Sequence, residues 1–202
     1  VRHAVNAVAS GCDFVVAQGT EGGGHTGTVA TMALVPQVVD AVGDKVAVVA
    51  AGGLFDGRGL AAALSLGADG VWIGTRFIAT PEAWGVDGYK DVLVATPEDG
   101  TVISRAYTGK TCRVVRNEWT NEYENHPDQL QPFPQQAIAS MKAGVNHLGY
   151  PPGTTVDLNR EFLPAGQGVG AIESIIPAGE IVRTMMREAT ETLERLTSLR
   201  NS

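Results

Sequence analysis

Cysteine is nearly absent from this chain. Cys12 and Cys112 are the only two among 202 residues, too few for a disulfide framework and in no pattern that ligates a metal. A reducing, cytoplasmic setting is the plain expectation. Aromatic residues make up 6% and charged residues 18%. No basic run occurs, and a formal net charge of −7 argues against a general nucleic-acid binder. No apolar stretch approaches membrane-spanning length, and no stretch reads as a signal peptide. His3, His126 and His147 are scattered without ligand spacing, so no metal site is expected. Also missing is an initiating Met: Val1 already falls inside a helical period, and further sequence is expected upstream.

What is abundant is glycine, 25 residues, clustered after apolar runs rather than spread through low-complexity tracts. Apolar residues at helical spacing (Val1, Val5, Val8) predict a helix that Ser10-Gly11 stops. Residues 13–17 read as a short buried strand, 31–42 as a helix with Pro36 a candidate break, and 46–51 as a second strand. Residues 58–66 read as a helix stopped by Gly67, and 70–73 as a third strand. Near-continuous apolar strands alternating with helices demand a parallel sheet covered by helices. From about Pro81 the texture becomes polar, aromatic and rich in Pro. Helices are expected at 89–95 and 135–143 and a short strand at 102–108. A long amphipathic helix is expected at 178–199, with Ile181, Met185, Ala189, Thr192 and Leu196 near one face.

The stretch QGTEGGGHTG, residues 18–27, follows the first strand directly. The second strand ends in Gly52-Gly53 and the third in Gly74-Thr75. Ligands of α/β folds bind at the carboxyl ends of strands. Glycine there lets backbone N–H groups approach a phosphate unobstructed. The two pairs therefore read as halves of a phosphate cup, with tight βα turns as the plainer alternative. No G-x-G-x-x-G opens a helix, so a dinucleotide fingerprint is absent, and a barrel-type phosphate site fits better.

The segments VVAQGTEGGGHTG, VVAAGGLFDGRGLAAALSLGADGVWIGTRF and GQGVGAI...PAGEIV resemble the nitronate monooxygenase (2-nitropropane dioxygenase-like) family of FMN-dependent TIM-barrel oxidoreductases. The resemblance is close over 1–80 and looser over 160–185. Gly22 stands where the family pattern has Ala, and Thr26 where Arg is frequent. The resemblance implies the C-terminal portion of a (β/α)8 barrel: its last three strands and helices in 1–80, a substrate-side insertion in 81–160, and a C-terminal segment, 161–202, packing back on the barrel. It implies FMN phosphate at Gly52, Gly53, Gly74 and Thr75, with Gly22, Gly23 and Gly24 passing along the flavin. His25 falls at the family's catalytic histidine.

Histidine titrates near neutrality and can take a proton from carbon next to an electron-withdrawing group. The implied activity is oxidation of nitronates with O2, His25 serving as base. The alternatives are an FMN-dependent, NAD(P)H-linked reductase or dehydrogenase of an unsaturated CoA-type thioester or quinone, and a non-catalytic fragment or half of a split flavoprotein. Expected partners are a small-molecule substrate, the remaining barrel half in the same or another chain, and further copies of this chain; nucleic acid and membrane are not expected.

Glu21 either orients the glycine loop by accepting backbone N–H bonds or is solvated. Asp56 and Arg58 read as a helix cap and first-turn residue. Arg76 either neutralises phosphate charge or packs the next segment. Lys110, Arg113 and Arg116 form a solvated basic face or a phosphate contact for a CoA-like or nicotinamide substrate. Trp72 is expected in barrel packing, and Trp84, Tyr89, Trp119 and Tyr123 at a substrate mouth or subunit contact.

Overall fold

The computed structural model describes residues 1–200, the last by its backbone alone. In chain order the elements are α1 (Arg2–Ala9), β1 (Phe14–Gln18), β2 (Gly24–His25), α2 (Thr31–Val42), β3 (Ala47–Ala51), α3 (Gly57–Ser65), β4 (Gly70–Trp72), α4 (Thr75–Ile78), α5 (Tyr89–Ala95), β5 (Thr101–Ser104), β6 (Cys112–Val115), α6 (Glu118–Asn125), α7 (Gln135–Lys142) and α8 (Ala178–Arg200). Short 3-10 turns lie at Pro127–Gln129 and Gln167–Ala171. These elements form two compact units.

The first unit comprises Val1–Glu21, Gly27–Ile73 and the chain from Pro177 onward. Its sheet has the order β1-β3-β4, all parallel, with Val15 opposite Val48 and Ala51 opposite Trp72. A parallel pair needs a crossover, and α2 and α3 supply one each. One face of the sheet buries Val15, Ala17, Val48 and Ala50 against Val35, Val38 and Val42 of α2 and against Ala63 and Ala68. The other face keeps Phe14 49%, Val16 40% and Trp72 59% exposed. Trp72 is therefore exposed among the described residues rather than packed in a core.

Helix α2 runs through Pro36 without a break; the buried stripe Val35, Val38, Val42 holds it to the sheet. Asp56 does cap α3, its Oδ1 accepting from the Gly59 N–H at 2.9 Å, and it pairs with Arg58. Helix α8 buries Ile181, Met185 and Ala189. A Cβ on Gly57 would lie 2.4 Å from the Met185 carbonyl oxygen and 2.5 Å from the Ala189 nitrogen, so this close approach of α3 and α8 admits only glycine. Leu196, expected on the inward face, is exposed together with Leu193 and Leu199.

The second unit comprises Gly22–Thr26 and Gly74–Ile176. A small antiparallel sheet, β2-β6-β5, stands among irregular segments and short helices. One core gathers Val86, Tyr89, Leu93, Val115, Leu163 and Val169; the other centres on Tyr107, stacked on Phe162 at 4.6 Å, with Trp119 and Val145. Tyr89 and Trp119 are thus interior residues rather than mouth residues. Burial of each is made tolerable by a partner for its polar atom: the Tyr89 hydroxyl donates to the Pro164 carbonyl and the Trp119 Nε1–H to that of Ala106. Trp84 is exposed. The strand expected over 102–108 ends at Ser104, where the chain turns. No helix among the described residues is long and apolar enough to cross a membrane.

Candidate functional site

His25 sits on β2, where Gly24 is opposite Arg113 and His25 opposite Cys112 of β6. The Thr26 N–H donates to the Thr111 carbonyl at 3.2 Å, and the Thr111 hydroxyl donates to the Thr26 carbonyl at 3.0 Å. The imidazole Nε2 lies 2.9 Å from Thr108 Oγ1, and Thr108 is 7% exposed. Thr108 belongs to a tight turn closed from both ends: Gly109 N–H donates to the Arg105 carbonyl and Arg105 Nε to the Gly109 carbonyl, each at 2.8 Å. Gly109 has φ +80°, and a Cβ there would lie 2.6 Å from the Phe133 nitrogen; the turn is wedged where only glycine fits. The Ser140 hydroxyl adds a bond to the Tyr107 carbonyl at 2.7 Å. An exposed imidazole is thereby mounted on a frame with little freedom.

The glycines leading to it differ in kind. A Cβ on Gly23 would lie 2.7 Å from the Ala165 carbonyl carbon and the Gly166 nitrogen, so the bare backbone at this position is required by the approach of another stretch of the same unit. Gly24 has φ +78° and open space around its Cβ direction. Gly22 is buried.

In the first unit the glycine pair after β3 is left-handed, Gly52 at φ +101° and Gly53 at φ +72°. A Cβ on Gly53 would stand 3.0 Å from Glu21 Cβ. Glu21 accepts from the Thr31 N–H at 2.9 and 3.1 Å, and the Thr31 hydroxyl lies 2.9 Å from both Glu21 Oε2 and the Gly52 carbonyl. As to the two readings of Glu21, the carboxylate does accept a backbone N–H, but that of Thr31 at the start of α2 rather than one in the glycine loop. It supplies to α2 the cap that Ala30, its N-cap residue, does not.

In the second unit Gly74 has nothing within 4 Å of the Cβ direction, and the Thr75 hydroxyl accepts from the Gly166 N–H at 2.9 Å. Arg76 is 8% exposed. Its Nη2 donates to the carbonyls of Ala79 at 3.1 Å and Ser174 at 2.8 Å, while its Nε has no partner. Burial lowers its pKa. Arg76 thus packs the following segment, and it keeps one buried donor in reserve.

The three cations Lys110, Arg113 and Arg116 do not make one solvated face. Lys110 Nζ lies over the Phe133 ring at 4.0 Å, Arg113 is buried and bonds Thr101, and Arg116 pairs with Glu124 at 2.7 Å. His147, in the sequence only a scattered histidine without ligand spacing, has its Nδ1 2.7 Å from Glu161 Oε2, while its backbone N–H donates to Glu161 Oε1 at 2.8 Å. No sequence signal marked that pair or the His25–Thr108 contact, which spans 83 positions. Burial pushes the Cys112 thiol up to about 12. Among the described residues no group of three or more His, Cys, Asp or Glu could hold a metal ion.

The sequence signature of the family described as Nitronate monooxygenase matches residues 1–188. A Mycobacterium tuberculosis (3aS,4S,5R,7aS)-5-hydroxy-7a-methyl-1-oxo-octahydro-1H-indene-4-carboxyl-CoA dehydrogenase is 48% identical over 125 residues, 61% of this chain and 35% of that protein. Among solved structures, FabK from Thermotoga maritima superposes with a TM-score of 0.82 at 34% identity, over 97% of this chain and 60% of that one. A nitroalkane oxidase from Streptomyces ansochromogenes gives a TM-score of 0.78 at 31% identity, over 96% and 56%. The chain spans about half the length of the curated relatives it matches, 53% of the one aligned over 202 residues. Its α/β fold is that of part of such a barrel enzyme.

Proposed function

Because the chain belongs to the nitronate monooxygenase family, we propose that it is part of an FMN-dependent oxidoreductase that oxidises nitronates with O2, His25 acting as the base. The observation that carries this reading is the mounting of His25: an exposed imidazole at the end of a glycine loop, held by strand pairing and by the buried Thr108 hydroxyl. A general base must be presented to substrate without losing its orientation, and this frame supplies both. The reaction begins at the carbon bearing the nitro group. His25 accepts its proton, the C–H electron pair moves into the nitro group, and a nitronate results; a substrate that arrives as nitronate omits this step.

FMN, when bound, supplies the redox chemistry that no side chain of this chain offers. Two observations fit the chain to it. Gly74 leaves open space where a Cβ would stand, as backbone approached by a phosphate requires, and buried Arg76 has a donor without a protein partner. Gly52, Gly53, Gly74 and Thr75 are the proposed phosphate contacts. Gly22, Gly23 and Gly24 are the proposed path along the ring. The uncovered face bearing Phe14, Val16 and Trp72 belongs, in this reading, against further strands of the same barrel. A cytoplasmic setting remains part of the proposal.

The test is His25→Asn in the flavin-loaded protein. Flavin should stay bound, and turnover of a neutral nitroalkane should fall about a hundredfold or more, the usual worth of a general base. A preformed nitronate should lose far less. Equal turnover of the neutral substrate by variant and parent would exclude His25 as base. A second reading, an NAD(P)H-linked reductase or dehydrogenase of a CoA-type thioester, is favoured by the relative whose name is a carboxyl-CoA dehydrogenase. Anaerobic mixing separates the two: rapid flavin bleaching by NAD(P)H supports the reductase, and bleaching by nitronate alone supports the monooxygenase.

A further inference from the structure

We propose that Thr108 is the positioning residue for His25, a hydroxyl that holds the ring in the Nε2–H tautomer and so makes Nδ1 the nitrogen that takes the substrate proton; the inference rests on His25 being the base. Thr108 Oγ1 has three polar neighbours. His25 Nε2 is at 2.9 Å, and the backbone N–H and C=O of Lys110 are each at 3.3 Å. A hydroxyl has one hydrogen to donate and two lone pairs to accept with. With the proton on Nε2, the Nε2–H and the Lys110 N–H both donate to Oγ1 while the Thr108 O–H donates to the Lys110 carbonyl, so the hydroxyl uses its one hydrogen and both lone pairs. Because Nε2 faces the buried Thr108, the substrate proton goes to Nδ1, and these bonds are the same before and after the transfer.

That property is useful for a base. The partner of one ring nitrogen sets which nitrogen carries the proton and how the ring stands. A carboxylate there would accept only, and would bias the ring toward one protonation state. A hydroxyl flanked by a backbone donor and acceptor holds the ring in both, so the imidazole need not reorient between taking a proton and releasing it. The rigidity of the turn makes the arrangement durable. Thr108 is 7% exposed, and Gly109 beside it is fixed by Arg105 and by the backbone of residues 131–133.

The experiment compares Thr108→Val, which keeps shape and removes the hydroxyl, with Thr108→Ser, which keeps the hydroxyl, alongside His25→Asn. In 15N spectra of labelled histidine, Thr108→Val should change the ratio of the two neutral tautomers of His25, and Thr108→Ser should restore the parent ratio. In flavin-loaded protein, Thr108→Val should lower kcat for a neutral nitroalkane about tenfold, the worth of one hydrogen bond lost. KM should change little and a preformed nitronate should be turned over within twofold of the parent rate; Thr108→Ser should recover most of the loss.

An unchanged tautomer ratio, or unchanged kcat in Thr108→Val, overturns the proposal. So does a loss of flavin or of β6 amide protection that accompanies the fall in rate, because that assigns Thr108 to the frame alone. If His25→Asn loses activity and Thr108→Val does not, only the Thr108 inference fails. If His25→Asn matches the parent, the base reading fails first.

Discussion

The two units hold their residues by different means. The first is a layer of Val and Ala: β1 and β3 bury Val15, Ala17, Val48 and Ala50 against Val35, Val38 and Val42, with one sheet face left uncovered. The second places polar side chains inside and satisfies them with backbone. Tyr107 lies 2.8 and 2.9 Å from the carbonyls of Arg160 and Glu161, Gln136 Nε2 donates to the Ala106 carbonyl, and Glu161 takes two bonds from His147. Apolar layers are tolerant, since any residue of suitable volume fills them. Buried polar networks are not, because removing one member leaves another unpaired. The candidate base is mounted on the second kind of structure, paired along β6 and bonded to the buried Thr108.

The sharpest way to break this comparison is at the glycines. Gly53, in the first unit, has φ +72° and a Cβ position 3.0 Å from Glu21. A Val there strains the backbone whether or not a cofactor binds. Gly74 has φ −95° and nothing within 4 Å, so the chain itself has room for a side chain. Gly74→Val should therefore abolish flavin retention after desalting while the far-ultraviolet circular dichroism stays that of the parent. Full flavin occupancy in that variant would remove Gly74 from the phosphate contacts. Gly53→Val would lose flavin too, but with a fall in thermal stability that makes it the less informative of the pair.

The next effect sets one deletion in each unit against the other. Glu161 is 1% exposed, and Glu161→Ala removes the acceptor for both the His147 N–H and its ring. Leaving those two donors of half-buried His147 without their acceptor costs about 3 kcal/mol. Val48→Ala, in the centre of the parallel sheet and fully buried, loses two methyl groups and costs about 2 kcal/mol. Native-state hydrogen exchange, read at the amides of β6 and of β3, should show each loss in its own unit. If Glu161→Ala costs less than Val48→Ala, the polar network is not what holds the second unit.

The same contrast explains what was legible. Period and apolar runs marked β1, α2, β3, α3 and α8, because each buries a face and the face repeats at 3.6 or 2 residues; α1 and β4 were marked as well, though they only partly bury Ala4, Ala7, Val8 and Val71. They also marked Gly74-Thr75, since a strand ending in glycine is a local pattern. Strand β2 is two residues long and owes its existence to β6, far along the chain, so no window of sequence contains it. Thr108 reads as an ordinary polar residue until the fold brings it to His25. Tyr89 and Trp119 look like surface aromatics because their neighbours are polar, and only the three-dimensional partners of their O–H and N–H groups reveal them as core. Trp72 sits on an apolar strand, yet it is exposed among the described residues, and its barrel packing rests on the proposed further strands.

The smallest expected effect is a dependence on alkaline pH confined to the second unit. Cys112 lies inside its core, and burial raises the thiol from 9.0 to about 12. Burial likewise raises the phenols of Tyr89 and Tyr107. As pH climbs through 9, the unfolded chain gives up the Cys112 proton while the folded chain keeps it. The unfolded state then binds fewer protons, and stability falls with pH. Below about pH 8 both states hold the proton and Cys112 adds no slope. Between pH 8 and 10 the loss should reach about 1 kcal/mol. Cys12, in the first unit, is exposed, so that unit has no counterpart. Urea denaturation at pH 8 and pH 10 should show the fall in the parent and a smaller one in Cys112→Ala, the remainder coming from the two tyrosines. An undiminished fall in Cys112→Ala would assign the whole dependence to the phenols, and no fall in the parent would mean that the second unit's core opens to water at alkaline pH before it unfolds.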